Sequence, residues 1–419
     1  MSGRGGVWDR RFAVERLGPA YDLLAAYRPG GFFMERAGLG VAGHGGVLTT
    51  MVVGDRAGWR APSPAALVGG VAGEGRPDGA PPPFLFGSVP FEPGAEAVVR
   101  VPTRAVRRDR EGETWSFRDP DGGADDATDR PMSTSGGPAD PFTELQQVHE
   151  PAPELYERAV ATAVDRIRGG GLDKVVLART LRVEAGRTLD PVPLARRLRA
   201  VEPDGYAFAV DLGEDRVLVG ATPELLVSRF RAEVRANPLA GSAPRFGDVD
   251  EDRASAERLG SSAKDRQEHA IVVEAVTRTL QPLCRELRYD REPQLLATAN
   301  VWHLSTRFHG VLKDPAPSAL DLVGALHPTP AICGDPTGRA LDLIHELEPV
   351  PRDAYAGAVG WMDATGDGVW ALALRCAELR GSTARLYAGA GIVADSDPAS
   401  ELDETDRKFR AFLDSLRWG

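Results

Sequence analysis

Apolar residues recur along this chain at two spacings. In "PELYERAVATAVDRIRGGG", Leu155, Ala159, Ala163 and Ile167 return every four residues before a run of glycines, which predicts an amphipathic helix with a glycine stop. The short run "DKVVLARTLRV" that follows predicts a strand, and "GYAFAVDLGEDRVLVGATPELLVSRF" predicts three strands joined by two turns. A long helix is expected over 254–280 and another over 398–416, where Leu402, Phe409, Leu413 and Leu416 form one apolar stripe. Between them, "AGAVGWMDATGDGVWALALRCAELRGSTARLYAGAGIV" predicts two or three strands joined at "ATGDG" and "LRGS".

Upstream, the pattern changes. "GLGVAGHGGVLTTMVVG" at 38–54 and its neighbours read as short strands of one meandering antiparallel sheet, followed by the loop "GEGRPDGAPPPF" at 73–84. Residues 106–140 are polar and rich in Gly, Asp and Pro, so a flexible loop or linker is expected there. The chain therefore divides into a β-rich part (1–105), that linker, and a mixed helix and strand region (141–419). No repeat of fixed period is present.

Composition narrows the class. With 419 residues, 42% of them hydrophobic, the chain is long enough for a sizeable core, and its net charge of -11 disfavours a nucleic-acid partner, which needs a basic surface. No apolar run reaches the roughly 20 residues that span a bilayer, and "MSGRGGVWDRRF" lacks the apolar core of a signal peptide, so a cytoplasmic protein with no membrane partner is expected. Cys284, Cys333 and Cys376 lie far apart and read as buried thiols. His149, His269, His303 and His327 show no metal-ligand spacing.

The candidate chemistry begins at "GAGIVADSDPASELDETDRK". Glycines before a helix suggest phosphate at its N-terminus, yet Glu401, Asp403 and Glu404 would repel an anion, and a metal ion suits them better. In "SSAKDRQEHAIVVEAV", Asp265 and Glu268 repeat the three-residue spacing beside an apolar face. Two helices supplying a few carboxylates would suit Mg²⁺. The same spacing equally suits dipole-favoured acids and a surface Glu404–Lys408 pair. Lys174 shares one side of its strand with Val176 and Ala178, where desolvation would free it to act as a base; a strand-edge lysine facing solvent is the alternative. Glu224, placed between a Thr-Pro turn and Leu225, Leu226 and Val227, would have a raised pKa if buried, or would pair with an arginine. Arg375 ends an apolar strand and needs a carboxylate partner from the protein or from a substrate.

Taken in order, "DKVVLAR", "GATPELLVSR", "NPLAGSAPR", "SSAKDRQEHAIVVE", "VWHLST", "LHPTPAICGDP", "AYAGAVGWMDATGDG", "LALRCAEL" and "AGAGIVADSDPASELDETDRKF" resemble the chorismate-utilising enzymes, and among them the isochorismate synthases. The resemblance covers roughly residues 150–419; the first 150 are similar only loosely. It implies one α+β domain of stacked antiparallel sheets with outer helices. It also implies an Mg²⁺-dependent isomerisation of chorismate to isochorismate by a monomer, with region 141–419 as the chorismate-binding part. Lys174 matches the lysine that activates water and Glu224 the acid that protonates the departing hydroxyl. Glu268 and Glu404 match the principal metal ligands, with Asp265 and Glu401 as outer acids. Tyr355 and Arg375 match contacts to substrate carboxylates, and Gly389 supplies a backbone contact nearby. Gly241 and Ser242 line the pocket, His303 and Lys408 stand at its edge, and His327 belongs to the signature loop. Val369 and Asp335 depart from the family pattern, where glutamate and threonine are usual.

Relatives that use ammonia, or that go on to eliminate pyruvate and give salicylate, share the acid and base. Ala240 stands where the aminodeoxychorismate type has lysine, and a glutaminase subunit would be needed only for ammonia chemistry. A catalytically silent chorismate-binding subunit would be expected to have lost some of the residues named, and all are present.

Overall fold

The computed structural model describes residues 12–18, 20–46, 48–53, 77–119 and 145–417. Its strands form two large antiparallel sheets and one small one. The first runs in the order Ala13–Leu17, Thr114–Arg118, Arg104–Arg108, Leu39–His44, Phe32–Arg36, Tyr206–Gly213, Arg216–Thr222, Cys376–Arg380, Thr383–Ile392, Lys174–Ala185 and Gly334–Asp335, with Leu145–Glu150 also beside Lys174–Ala185. The second runs Cys284–Tyr289, Phe308–Leu312, Glu233–Asn237, Leu225–Phe230, Gly368–Leu372, Ala358–Asp363, Phe84–Val89, Glu96–Arg100 and Leu48–Val52. Leu239–Pro244, Val301–Ser305 and Gln294–Ala297 make the third.

Strand alternation explains the layers. Phe32 and Phe208 of the first sheet face the second, and Phe32 stacks on Phe86 with ring centroids 4.5 Å apart. Their neighbours Phe33, Ala207 and Ala209 point the other way, into a second core shared with Leu194 and Leu198 of the helix Pro191–Val201 and with Phe409 and Leu413 of the helix Pro398–Arg417. The expected α+β arrangement of stacked sheets and outer helices is therefore present. Cys284, Cys333 and Cys376 are free and buried, as expected. Among the described residues no helix is long and apolar enough to cross a membrane.

Several elements differ from the sequence reading. The helix expected over 254–280 is two, Val249–Ser261 and Ala263–Leu280. Ser262 adopts an extended backbone between them, and its hydroxyl accepts the Asp265 N–H. In the helix Pro153–Arg168 the buried stripe is Tyr156, Val160, Ala163 and Ile167, and Leu155 is exposed, because strict four-residue steps drift around a 3.6-residue turn. The meander expected at 38–54 is split: Leu39–His44 and Leu48–Val52 belong to different large sheets. Part of the expected linker is strand, since Arg104–Arg108 and Thr114–Arg118 pair with each other and bury Val106, Trp115 and Phe117. The remainder, 120–140, lies outside the described residues, as do 73–76 of the expected loop at 73–84.

The chain also crosses between the large sheets twice at one place. Arg216–Thr222 belongs to the first sheet and Leu225–Phe230 to the second; Gly368–Leu372 belongs to the second and Cys376–Arg380 to the first. The "VWALALRCAEL" run is thus two strands broken by Arg375, whose φ of 51° is left-handed. The crossings lie side by side, with Leu372 N–H donating to Glu224 O at 3.1 Å and Ala221 N–H to Arg375 O at 3.3 Å. Glu224 and Arg375 therefore stand where the two sheets part.

Candidate active site

A cavity opens at this junction, lined by Glu224, Gly241, Ser242, Glu268, His303, Tyr355, Arg375, Gly389, Glu404 and Lys408. Ten of the residues singled out in the sequence thus meet in one place, from segments as far apart in the chain as Glu224 and Lys408. Pro223, Ala240, Val176 and Tyr387 complete much of the wall.

Glu224 is buried, and its Oε1 accepts the Leu239 N–H at 3.2 Å. Burial raises its pKa to about 8, against the opposing pull of that hydrogen bond and of Lys174, Lys408 and Arg375. It is a carboxylic acid that keeps its proton at neutral pH. Lys174, at the start of Lys174–Ala185, has no exposed surface, which removes the solvent-facing alternative. Its Nζ lies 2.9 Å from Glu268 Oε1. Gly391 makes room for that pair: a Cβ there would stand 2.1 Å from Glu268 Oε1 and 3.0 Å from Lys174 Cε.

The basic side of the cavity is tied down by hydrogen bonds. Arg375 Nη2 donates to His303 Nε2 at 3.0 Å. Burial, with Arg375 and Lys408 nearby, lowers the His303 pKa to about 3, so the ring is neutral and can accept. Lys408 Nζ donates to Gly389 O at 2.7 Å and to Glu404 Oε1 at 2.6 Å, so the Glu404–Lys408 pair exists but faces the cavity rather than solvent. The Tyr355 and Tyr387 rings stack 4.8 Å apart. Gly241 needs its positive φ of 77°, and a Cβ would press against Asp265 Cβ at 3.1 Å, which seats this turn on the helix Ala263–Leu280.

The four acids fit a divalent cation in chemistry, although three of them now lean on a lysine. Glu268 pairs with Lys174, Glu404 with Lys408, and buried Glu401 with Lys264 at 2.8 Å. Asp265 and Glu401 stand behind the cavity wall. Burial and the neighbouring carboxylates, Glu268 for Asp265 and Glu404 for Glu401, hold both above the usual carboxylate range. Burial also pushes Glu404 up, but Lys408 and a Ser242 hydrogen bond outweigh it and bring it down. Carboxylates that repel one another in a buried site are what a hard cation relieves. As placed, no three of these groups among the described residues close into a cage.

His327 is not in this cavity. Its Nε2–H donates to Pro90 O at 3.0 Å and Phe91 O at 3.2 Å, it borders a separate cavity with Asp335, and burial lowers its pKa to about 4. It joins the loop after the helix Ala319–Leu326 to the second sheet. Of the two departures from the family pattern, Asp335 lies opposite Lys174 at the strand edge, and Val369 pairs with Trp361 and Ser228 inside the second sheet. Sequence reasoning missed Gly391 and Lys264, although both lie within the quoted segments. It also missed Arg352, whose setting just after Pro349 and Pro351 suggests an exposed loop.

The family profile described as "Chorismate binding enzyme" matches residues 127–417. The chain belongs to the chorismate-binding enzymes. Among members of this family, the isochorismate synthase DhbC of Bacillus subtilis is 44% identical over 64% of this chain and 68% of its own length. The isochorismate synthase EntC of Escherichia coli K12 is 36% identical over 79% of this chain and 80% of its own. A crystal structure titled as a putative 2,3-dihydroxybenzoate-specific isochorismate synthase, DhbC from Bacillus anthracis, superposes with a TM-score of 0.80 at 36% identity, covering 95% of this chain and 99% of that one. The menaquinone-specific MenF of E. coli, at 24% identity and a TM-score of 0.81, shares the fold of this chorismate-binding chain.

Proposed function

We propose that the chain is an isochorismate synthase, with Lys174 as base and Glu224 as acid. The observation that carries this reading is a buried carboxylic acid, protonated at neutral pH, in one cavity with two cations able to hold a dicarboxylate. Chorismate carries two carboxylates, and Arg375 with its planar fork suits one of them, beside Tyr355 and the Gly389 backbone. The names of relatives 36% to 44% identical support the same assignment.

The reaction balances without any redox partner. A water oxygen bonds to the ring carbon beside the carboxylate-bearing one as the Lys174 amine takes the water's proton. The ring double bonds shift, and the C–O bond of the hydroxyl across the ring breaks. Glu224 gives that hydroxyl its proton, and it leaves as water. Each transfer contributes about 10² to 10⁴-fold. Mg²⁺, held by Glu268 and Glu404 with Asp265 and Glu401 behind them, would neutralise the ring carboxylate and draw electron density from the ring. His303, kept neutral, holds the Arg375 guanidinium in place.

Purified protein incubated with chorismate and Mg²⁺, with products separated by chromatography, tests the assignment. Isochorismate supports it. Salicylate with pyruvate would make the chain a synthase-lyase, amino products that require ammonia would make it a transferase, and unchanged but bound chorismate would make it a silent subunit.

A further inference from the structure

Among the described residues, the strand that carries Lys174 lacks a continuous neighbour along one edge. Thr383–Ile392 pairs with residues 175–184 on one side. On the other, Gly334–Asp335 covers 174–175 and Leu145–Glu150 covers 180–185, which leaves a gap between them. Backbone groups in such a gap need partners, since a buried, unpaired N–H or C=O is costly. Cys333 O accepts the Val176 N–H at 2.8 Å and the Tyr156 hydroxyl donates to Leu177 O at 3.0 Å, and two further side chains serve the groups beside them. Arg352 Nη2 donates to Val176 O at 2.6 Å, and Glu348 Oε1 accepts the Ala178 N–H at 2.7 Å. The two residues are themselves joined, by Arg352 Nε to Glu348 Oε2 at 2.9 Å and Nη2 to Glu348 Oε1 at 2.5 Å.

The pair is anchored on its far side as well. Arg352 Nη1 donates to Ile332 O at 2.6 Å, and the guanidinium carbon lies 4.2 Å from the Phe91 ring centroid. The side chains are 3% and 7% exposed, too dry for solvent to replace these contacts. Although Arg352 borders the cavity, these bonds occupy four of its five N–H groups, which leaves no free fork for a substrate carboxylate. Its connections run instead to the backbone two residues beyond Lys174. Val176 matters there too, because its side chain lines the cavity wall opposite Gly389, where a Cβ would come within 3.3 Å of Val176 Cγ1.

We propose that the Glu348–Arg352 pair is a positioning device for Lys174, standing in for a missing stretch of strand and fixing residues 176–178 so that the lysine meets Glu268 at the cavity. The inference rests on the reading of Lys174 as the base. A buried ion pair is seldom the most stable filling for a core, so specificity of placement is its natural use here.

The test uses the full chain with Mg²⁺ and chorismate. Arg352→Lys keeps the charge and loses the fork, and Glu348→Gln keeps an oxygen for Ala178 N–H and loses the charge. Steady-state kinetics are measured for each, alone and combined with Lys174→Ala, alongside thermal unfolding. Arg352→Lys should lower kcat by about 10 to 10²-fold with KM within about twofold, the scale of a small misplacement of a reacting group. Glu348→Gln should cost less, and it carries the test if Arg352→Lys fails to fold. In the Lys174→Ala background neither change should cost a further factor, because both act through the missing amine. Unchanged kcat in the single variants would overturn the proposal. So would a rise in KM alone, or the full loss persisting without Lys174. Wild-type turnover by Lys174→Ala alone would instead remove the reading of Lys174 as base, and the positioning role with it.

Discussion

Replacing Glu224 with glutamine should abolish turnover and, above pH 5, make the protein more stable. The carboxyl is 4% exposed and keeps its proton to about pH 8, whereas an unfolded glutamate releases it near 4.5. A folded pKa above the unfolded one means that the native state binds the proton more tightly, so stability is highest below pH 4.5 and is lost as pH rises towards 8. At pH 7 the gap of about 2.5 pH units corresponds to about 3 kcal/mol of lost stability. Glutamine has no such proton and keeps an oxygen for the Leu239 N–H, but its NH₂ group lacks an evident partner, at about 1 kcal/mol. The net expectation is about 2 kcal/mol in favour of the variant at pH 7, rising to pH 8 and vanishing or reversing near pH 4.5. Urea unfolding of both proteins at pH 5, 6, 7 and 8 measures it. Wild-type turnover should also fall as pH rises through about 8, where the acid loses its proton. A stability difference that ignores pH, or a variant that still converts chorismate at the wild-type rate, would refute the account of Glu224.

Lys174→Ala should lower kcat by about 10² to 10⁴-fold while chorismate still binds, measured by turnover and by calorimetric titration; a loss below tenfold would count against the base role. Gly391→Ala would drive a methyl into the Lys174–Glu268 pair, so the Mg²⁺ concentration for half-maximal rate should rise, and an unchanged Mg²⁺ titration would show that the pair tolerates displacement. Glu404→Gln should raise the same requirement steeply, and chelation of divalent ions should stop the wild-type reaction until Mg²⁺ is restored; turnover that persists in chelator would exclude the metal reading.

Much of this could be read from local pattern, and what could not be read was decided by tertiary pairing. Alternation placed Lys174 on the side of Val176, and Val176 does line the cavity. The acid pairs at 265/268 and 401/404 were visible because helical spacing is local. Nothing local tells Thr222 that the next strand will join another sheet, so the crossings that place Glu224 and Arg375 together were invisible. The break at Ser262 had a signal, a serine three residues before an acid, that an unbroken apolar rhythm concealed. Leu155 was misplaced by taking four as the helical repeat. His327 was drawn in by its motif, whereas its ring is spent on backbone carbonyls. Arg352 had little local sign, because only Glu348 is near it in the chain and the carbonyls it caps, of Val176 and Ile332, are remote in sequence.

Both large sheets take strands from both ends of the chain. Tyr206–Gly213 lies against Phe32–Arg36, and Ala358–Asp363 against Phe84–Val89. A fragment starting at residue 145 would keep every proposed catalytic group and still bare two long hydrogen-bonding edges, each ready to adhere to a neighbour's. The loosely similar leading region is free to drift in its connections, but at those two seams it is held to a complementary shape, so excision there should yield aggregate rather than a smaller enzyme.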